Sequence, residues 1–262
     1  CVEQTTSSTR PLLFASAILG ASDPDLVQPE KIDKMVMHGV DRLMRMQTPS
    51  GGFAYWIGGD QPNLWGTAYA THLLLDAKKA GFSVPQDGLD AAVNYMDATV
   101  ANQQNMRDQH SYTPGGVAYM HYVLARADKG RKAEILKAIE AMGTPSNNVD
   151  KEQQYMLQAA LYLSGDRRYE RALKNPDISP LKSTRRNDWS FFSDLRYRGF
   201  MLSVYSDLFG PPESDTGLRL ARLVADGLAA DNRSYHYSTQ EIVWGVTGLG
   251  KTIVASGKDF DG

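Results

Sequence analysis

Between Glu30 and Gln47 the residues Ile32, Met35, Val36, Gly39, Val40, Leu43 and Met46 recur at i, i+3, i+4, i+7, i+8, i+11 and i+14, a spacing that lines one face of an α-helix. The same pattern runs through Leu64 to Lys79, Leu89 to Val100, Val117 to Ala127, Lys132 to Met142, Gln153 to Leu163, Phe191 to Phe209, Gly217 to Ala230 and Thr239 to Ala255. No comparable run alternates with period two, so the chain reads as all-α. Turn chemistry separates the stripes: Gly81 follows one helix, Pro85 and Asp87 precede the next, and Gly143 with Pro145 and Gly210 with Pro211 and Pro212 break the chain again. Pro11 is the proline that falls inside an apolar pattern. Its ring and missing N–H predict that the first helix starts near it or is interrupted there.

A small residue beside an aromatic recurs near helix starts, at Ala68-Tyr69, Ala118-Tyr119, Gly199-Phe200 and, reversed, Trp244-Gly245, with Ala159-Ala160 between them. Spacings of roughly 40 to 50 residues suit a repeated helical hairpin. About 10–12 such helices could form an open solenoid, an irregular bundle or a closed ring. The ring, an α/α toroid with an inner layer of small and aromatic faces, is the expected architecture, because neither end has the polar face of a cap. One domain over residues 1–262 is the matching expectation.

Composition narrows the function. With 42% hydrophobic and 22% charged residues the chain has apolar mass for a large core, and a net charge of −2 builds no basic field for nucleic acid. Pro11 to Ala21 is the longest apolar stretch, about half the roughly 20 residues a bilayer span needs, and no basic segment precedes it. Neither nucleic acid nor direct membrane contact is therefore expected. Cys1 is the chain's single cysteine, which excludes internal disulfides and cysteine-rich zinc sites, and no cofactor or metal is implied. The absence of an initiating Met suggests a processed product or a piece of a longer chain.

The first four residues, Cys1-Val2-Glu3-Gln4, carry the most chemistry. They set a thiol three positions before a side-chain amide, and residues three apart share one side of a helical turn. If the thiolate attacks the Gln4 carbonyl and ammonia leaves, an internal thioester forms, an acyl group stored in activated form. As bare spacing the pattern is common, and a lone cysteine is more often an inert small hydrophobe.

The surrounding residues sharpen the reading. Cys1-Val2-Glu3-Gln4-Thr5-Thr6 resembles the thioester motif of the alpha-2-macroglobulin and complement superfamily, with Val2 where animal members carry Gly and bacterial members accept an aliphatic residue. Gln47 to Trp56, Leu64 to Leu75, Gly116 to Arg126 and Tyr237 to Trp244 are further matches in family order, so the resemblance spans nearly the whole chain. It implies a helical toroid embedded in a longer chain of β-sandwich domains. It also implies a bacterial, periplasmic protease trap, with a lipid-anchored parent chain as one option: bait cleavage elsewhere exposes the thioester, which acylates surface lysines of the attacking protease, so the partners are target proteases and the shielding domains of the parent. The same resemblance implies an inhibitor with a single-turnover reactive group rather than an enzyme, and Cys1 as a free thiol in the isolated fragment.

Some complement members add a histidine that redirects acyl transfer to hydroxyls. His110 lies in the corresponding stretch, although a solvated loop histidine fits there too. His121 reads as a wall or core histidine and His72 as packing behind Trp65 and Tyr69, while His38 and His236 have no partner at a recognisable spacing. Without a histidine, transfer would be direct aminolysis. Tyr55, Trp56, Trp65 and Tyr69 could form an apolar collar around the thioester, or be plain core. Glu3 could tune the thiol, pair with a basic residue, or serve the helix dipole.

Three other readings stay open on residues alone. An α/α-toroid glycosidase or lyase needs two facing carboxylates, for which Asp60, Asp108, Asp194 and Glu241 are candidates. Cys1 as the nucleophile of a self-processing amidohydrolase would call for β-sheets. Cys1 as the lipidated first residue of a lipoprotein would make the helices a binding module.

Overall fold

The computed structural model describes residues 1–102, 114–146, 148–179, 193–230 and 237–257, and among them it contains helices and no strand. In chain order the helices are α1 (Val2–Thr9), α2 (Ala15–Ser22), α3 (Pro29–Met44), α4 (Leu64–Lys79), α5 (Gln86–Ala101), α6 (Pro114–Arg126), α7 (Lys132–Met142), α8 (Asn148–Leu163), α9 (Glu170–Lys174), α10 (Asp194–Phe209), α11 (Asp215–Ala229) and α12 (Thr239–Ala255). Among the described residues each segment with helical spacing forms a helix, with bounds that shift by a few residues at the ends. None of the described helices is long and apolar enough to cross a membrane.

Packing sorts these helices into two kinds. Helices α1, α4, α6, α8, α10 and α12 each touch the next, and α12 returns to α1, so their contacts run in a cycle. On the outside, α3 leans on α1 and α4, α5 on α4 and α6, α7 on α8, and α11 on α10 and α12. The sequence explains the division. Helix α4 buries Leu64, Gly66 to Leu74, Asp76 and Ala77, nearly its full circumference, while α11 buries only Gly217, Leu220 and Val224 on one stripe. A helix apolar on all sides belongs between others, and an amphipathic one belongs at the edge.

The recurring small–aromatic pairs find their meaning here. Phe200 lies 4.8 Å from Trp244, and Tyr119 lies 5.8 Å from Phe200, between ring centroids. Tyr69 and His72 stand 5.9 and 5.8 Å from Trp244. The aromatics of successive hairpins thus meet in one buried cluster in edge-on and tilted contacts, which aromatic quadrupoles favour. Their small neighbours allow close backbone approach: a Cβ on Gly199 would sit 2.4 Å from the Trp244 carbonyl carbon, and one on Gly248 2.6 Å from the Gly199 oxygen. No side chain fits at either position.

Three details add to the sequence pattern. Helix α1 ends at Thr9, and Pro11 opens a 3₁₀ turn, Arg10–Phe14, that joins it to α2, so the proline interrupts rather than starts the helix. Met35 is 49% exposed although it falls on the apolar stripe of α3. Helix α9 had no periodic signal, being a single short turn anchored by Leu173.

Candidate functional site

Helix α1 has three faces, each with a different task. Toward α4 and α12 it sends Glu3, Ser7 and, just past its end, Arg10. Glu3 Oε1 accepts from Ser7 Oγ and from Gln240 Nε2, both at 2.8 Å, and Ser7 Oγ lies 3.0 Å from the Tyr69 hydroxyl. Gln240 continues the chain, its Oε1 accepting from Trp244 Nε1 at 3.2 Å and Arg196 Nε at 3.5 Å, and Arg196 is ion-paired with Glu152. Glu3 is thus 5% exposed and turned inward on neutral donors. Its hydrogen bonds go to Ser7 and Gln240, on the side of the helix facing α4 and α12.

Toward α3 the helix presents Cys1, Thr5 and Thr9, one turn apart. A Cβ on Gly39 would stand 2.0 Å from Thr9 Oγ1, so the glycine lets α3 approach closely, and Arg42 Nε donates to Thr5 Oγ1 at 3.2 Å. Toward solvent lie Gln4 and Ser8, both exposed.

The first turn is fixed from both ends. Val2 is fully buried over Gly66, where any side chain would strike Val2 Cγ1 at 2.7 Å, and the Val2 N–H donates to the Tyr55 carbonyl at 2.9 Å. That carbonyl belongs to a loop tied by bridges between Gln47 and Phe53 and between Ala54 and Pro62. Cys1 is the N-cap: its Sγ accepts from the Gln4 N–H at 3.4 Å, and Thr5 N donates to the Cys1 carbonyl at 3.0 Å. Cys1 is buried and unpaired with any other cysteine. The sulfur therefore sits where the backbone N–H groups of a helix start favour negative charge. Both Cys1 and Gln4 border an open cavity of about 600 Å³ between α1 and α3, lined also by Leu12, Lys31, Lys34, Met35, His38 and Arg42. The sequence reading found no partner for His38 and did not single out the three cations. Their signal was present, since Lys31, Lys34, His38 and Arg42 recur at i, i+3, i+7 and i+11 along one edge of α3.

The other sequence candidates fare unevenly. His110, His236 and Asp108 lie outside the described residues. Trp56 is 62% exposed, edge-on to Tyr55 at 5.5 Å, whereas Tyr69 belongs to the central aromatic cluster, so these residues do not close a collar around Cys1. His121 is buried on α6, and burial pushes it down to about 4. Of the candidate acids, Glu241 is spent in a capping box with Ser238, Asp194 opens α10, and Asp60 lies in an exposed loop, which leaves no facing pair among them.

His72 stands in a buried charge cluster that the sequence did not reveal. Asp76 receives Arg10 Nη1 and Arg126 Nη2 at 2.7 Å each and Lys251 Nζ at 3.4 Å, while Asp207 receives Arg126 Nη1 at 2.7 Å and Lys251 Nζ at 2.5 Å. Arg126 Nη1 also lies 2.8 Å from His72 Nε2, and His72 Nδ1 lies 2.8 Å from the Tyr119 hydroxyl. Since a guanidinium only donates, Nε2 carries a lone pair and His72 is neutral with its proton on Nδ1. Burial, helped by the Arg10 charge, accordingly holds His72 well below its usual value. Burial alone would raise Asp76, but Arg126 and Lys251 overcome it and keep that carboxyl well below the usual carboxylate range. His72, Asp76 and Asp207 have the proximity of a metal site, yet Arg10, Arg126 and Lys251 already fill their ligand positions, so this donor set does not fit a cation. The cluster is a staple, joining the turn after α1 to α4, α6, α10 and α12.

Similarity to known proteins follows the same lines. No family model matches the sequence. An alpha-2-macroglobulin of Escherichia coli is 37% identical over 97 residues, 34% of this chain and 6% of that protein. One of Xylella fastidiosa is 30% identical over 134 residues, 49% of this chain and 8% of that protein. Among solved structures, Escherichia coli alpha-2-macroglobulin activated by porcine elastase superposes with a TM-score of 0.76 at 26% identity, covering 97% of this chain and 22% of that one. Salmonella alpha-2-macroglobulin reacted with methylamine gives 0.75 at 25% identity, covering 96% and 16%. This chain spans a small fraction of the length of the proteins it matches. The chain is thus similar in sequence, over a third to a half of its length, to bacterial alpha-2-macroglobulins, and in fold, over nearly all of its length, to one portion of those longer proteins.

Proposed function

We propose that this chain is the thioester-bearing helical domain of a bacterial protease trap, with Cys1 and Gln4 as the reacting pair. The observation that carries the reading is the first turn of α1, where Gln4 donates its N–H to Cys1 Sγ at 3.4 Å and both residues border one open cavity. Formation joins Sγ to the Gln4 side-chain carbonyl carbon and releases ammonia. Transfer reverses the activation: an amine nitrogen bonds to that carbon, the C–S bond breaks, and the thiol is regenerated. The helix start stabilises the departing sulfur. Each molecule acts once, which makes the protein an endopeptidase inhibitor and not a turnover enzyme.

The relatives with a methylamine-reacted form and a protease-activated form support this assignment, as does the all-helical fold. The opening of the cavity implies that neighbouring domains of the parent cover it until a protease cuts elsewhere, since a thioester in water hydrolyses. The partners are then proteases, captured through surface lysines, and the compartment is the periplasm. His110 would enter only as a relay toward hydroxyl acceptors. The test is peptide mass spectrometry of residues 1 to 10 from the full-length parent, with and without methylamine, alongside a count of free thiols. Methylamine on Gln4 with one new thiol on Cys1 is the expected result. An unmodified Gln4 amide with Cys1 free throughout refutes the proposal.

A further inference from the structure

The cavity beside Cys1 and Gln4 is electrically one-sided. Lys31, Lys34, His38 and Arg42 line it, and no carboxylate does among the described residues. The acid on α1, Glu3, does not line the cavity and is bonded to Ser7 and Gln240 instead. Glu30 borders the adjoining shallow recess together with Lys31 and Lys34. Arg42 is the cation set nearest the reacting pair, its Nε pinned by Thr5, one turn above Cys1. Apolar surface lies between the charges, supplied by Met35, 49% exposed, and by Leu12.

We infer that this cavity selects the acceptor, and that it takes lysines carried on acidic surface segments. The inference rests on the thioester reading. In the transfer step the acceptor nitrogen bonds to the Gln4 acyl carbon, the electron pair of the C–S bond passes to Cys1 Sγ, and the proton from nitrogen ends on the sulfur. The cations bear on this step in two ways. They repel a lysine from a basic surface before it reaches the acyl carbon, and they attract carboxylates flanking a lysine, seating it over the cavity while favouring its neutral, nucleophilic form. Lysine-bearing segments with neighbouring glutamate or aspartate are therefore acylated in preference to arginine-flanked ones.

The test has two arms. In this chain, the Cys1 thiol is titrated with a dianionic aromatic disulfide and with dicationic cystamine. The anionic probe is expected to react faster, and Lys31→Glu with Lys34→Glu, both at exposed positions, should reduce the rate ratio by about tenfold at low ionic strength, an effect that salt removes. In the full-length parent, activated by protease, acetylated peptides with one lysine flanked by glutamates or by arginines compete for Gln4. The glutamate peptide should be favoured, and the same double variant should invert the order. A probe ratio indifferent to the charge reversal, or equal peptide incorporation in the parent, overturns the inference while leaving the thioester intact. Failure of every amine to incorporate, with the probe ratio responding as expected, overturns the thioester reading and the acceptor role with it.

Discussion

Replacing Asp76 by Asn tests whether the buried charge cluster holds the helices together. Asp76 and Asp207 contribute two negative charges facing Arg10, Arg126 and Lys251, with His72 neutral. The cluster therefore already carries an excess of positive charge. Asp76→Asn keeps the shape but leaves three cations around one carboxylate, in a site where Arg10 is fully buried and Asp76 only 6% exposed. Breaking a buried ion pair from one side costs about 3–5 kcal/mol, and the new amide nitrogen points a donor at guanidinium groups that cannot accept. That is a large part of the roughly 5–15 kcal/mol that keeps a domain folded, and corresponds to a fall of about 6–20 °C in melting temperature. Lys251→Met should behave differently. It restores charge balance, and Asp207 keeps Arg126 at 2.7 Å, so its cost should stay below about 1.5 kcal/mol. Urea unfolding followed by circular dichroism reads both variants, provided the transition is two-state. A Lys251→Met loss equal to or above that of Asp76→Asn would refute the reasoning.

Two other predictions concern packing and pH. Gly199→Ala places a methyl 2.4 Å from the Trp244 carbonyl carbon, which must push α10 and α12 apart, and should cost at least about 1–3 kcal/mol in the same urea assay, whereas a glycine that merely lowers helix propensity would gain from the change. His121 is held neutral to about pH 4 in the fold but takes its proton near 6.5 when unfolded, so its contribution is present above pH 6.5 and is lost as pH falls from 6.5 to 4. His121→Gln should flatten that part of the stability curve, leaving the same-signed share from His72, and an unchanged slope between the two pH values would count against it.

The aromatic pairs show how the sequence and the structure divide the information. Helix positions followed from three-and-four spacing because that period is set by backbone geometry and needs no tertiary partner. The inner or outer place of a helix was equally legible, in how much of its circumference is apolar. The Cys1–Gln4 pair could be read from spacing and from resemblance, since its chemistry is local to one turn. Its surroundings could not. His72, Asp76, Arg126, Asp207 and Lys251 lie on four different helices, and no period connects them. The basic edge of α3 was visible as a stripe but looked like ordinary solvated surface until α1 placed a thiol beside it.

What the sequence determined by itself is therefore the local part: helical segments, their breaks at Pro11, Gly81, Gly143 and Gly210, and a thiol one turn from an amide. Tertiary structure alone decided which carboxylate meets which guanidinium, that Met35 stays exposed, that Glu3 turns inward, and that the described residues lining the cavity beside Cys1 include cations and no carboxylate. The reason is physical. Periodicity is a property of neighbours along the chain, while burial and electric field depend on where distant segments are brought, and only the closing of α12 on α1 fixes that.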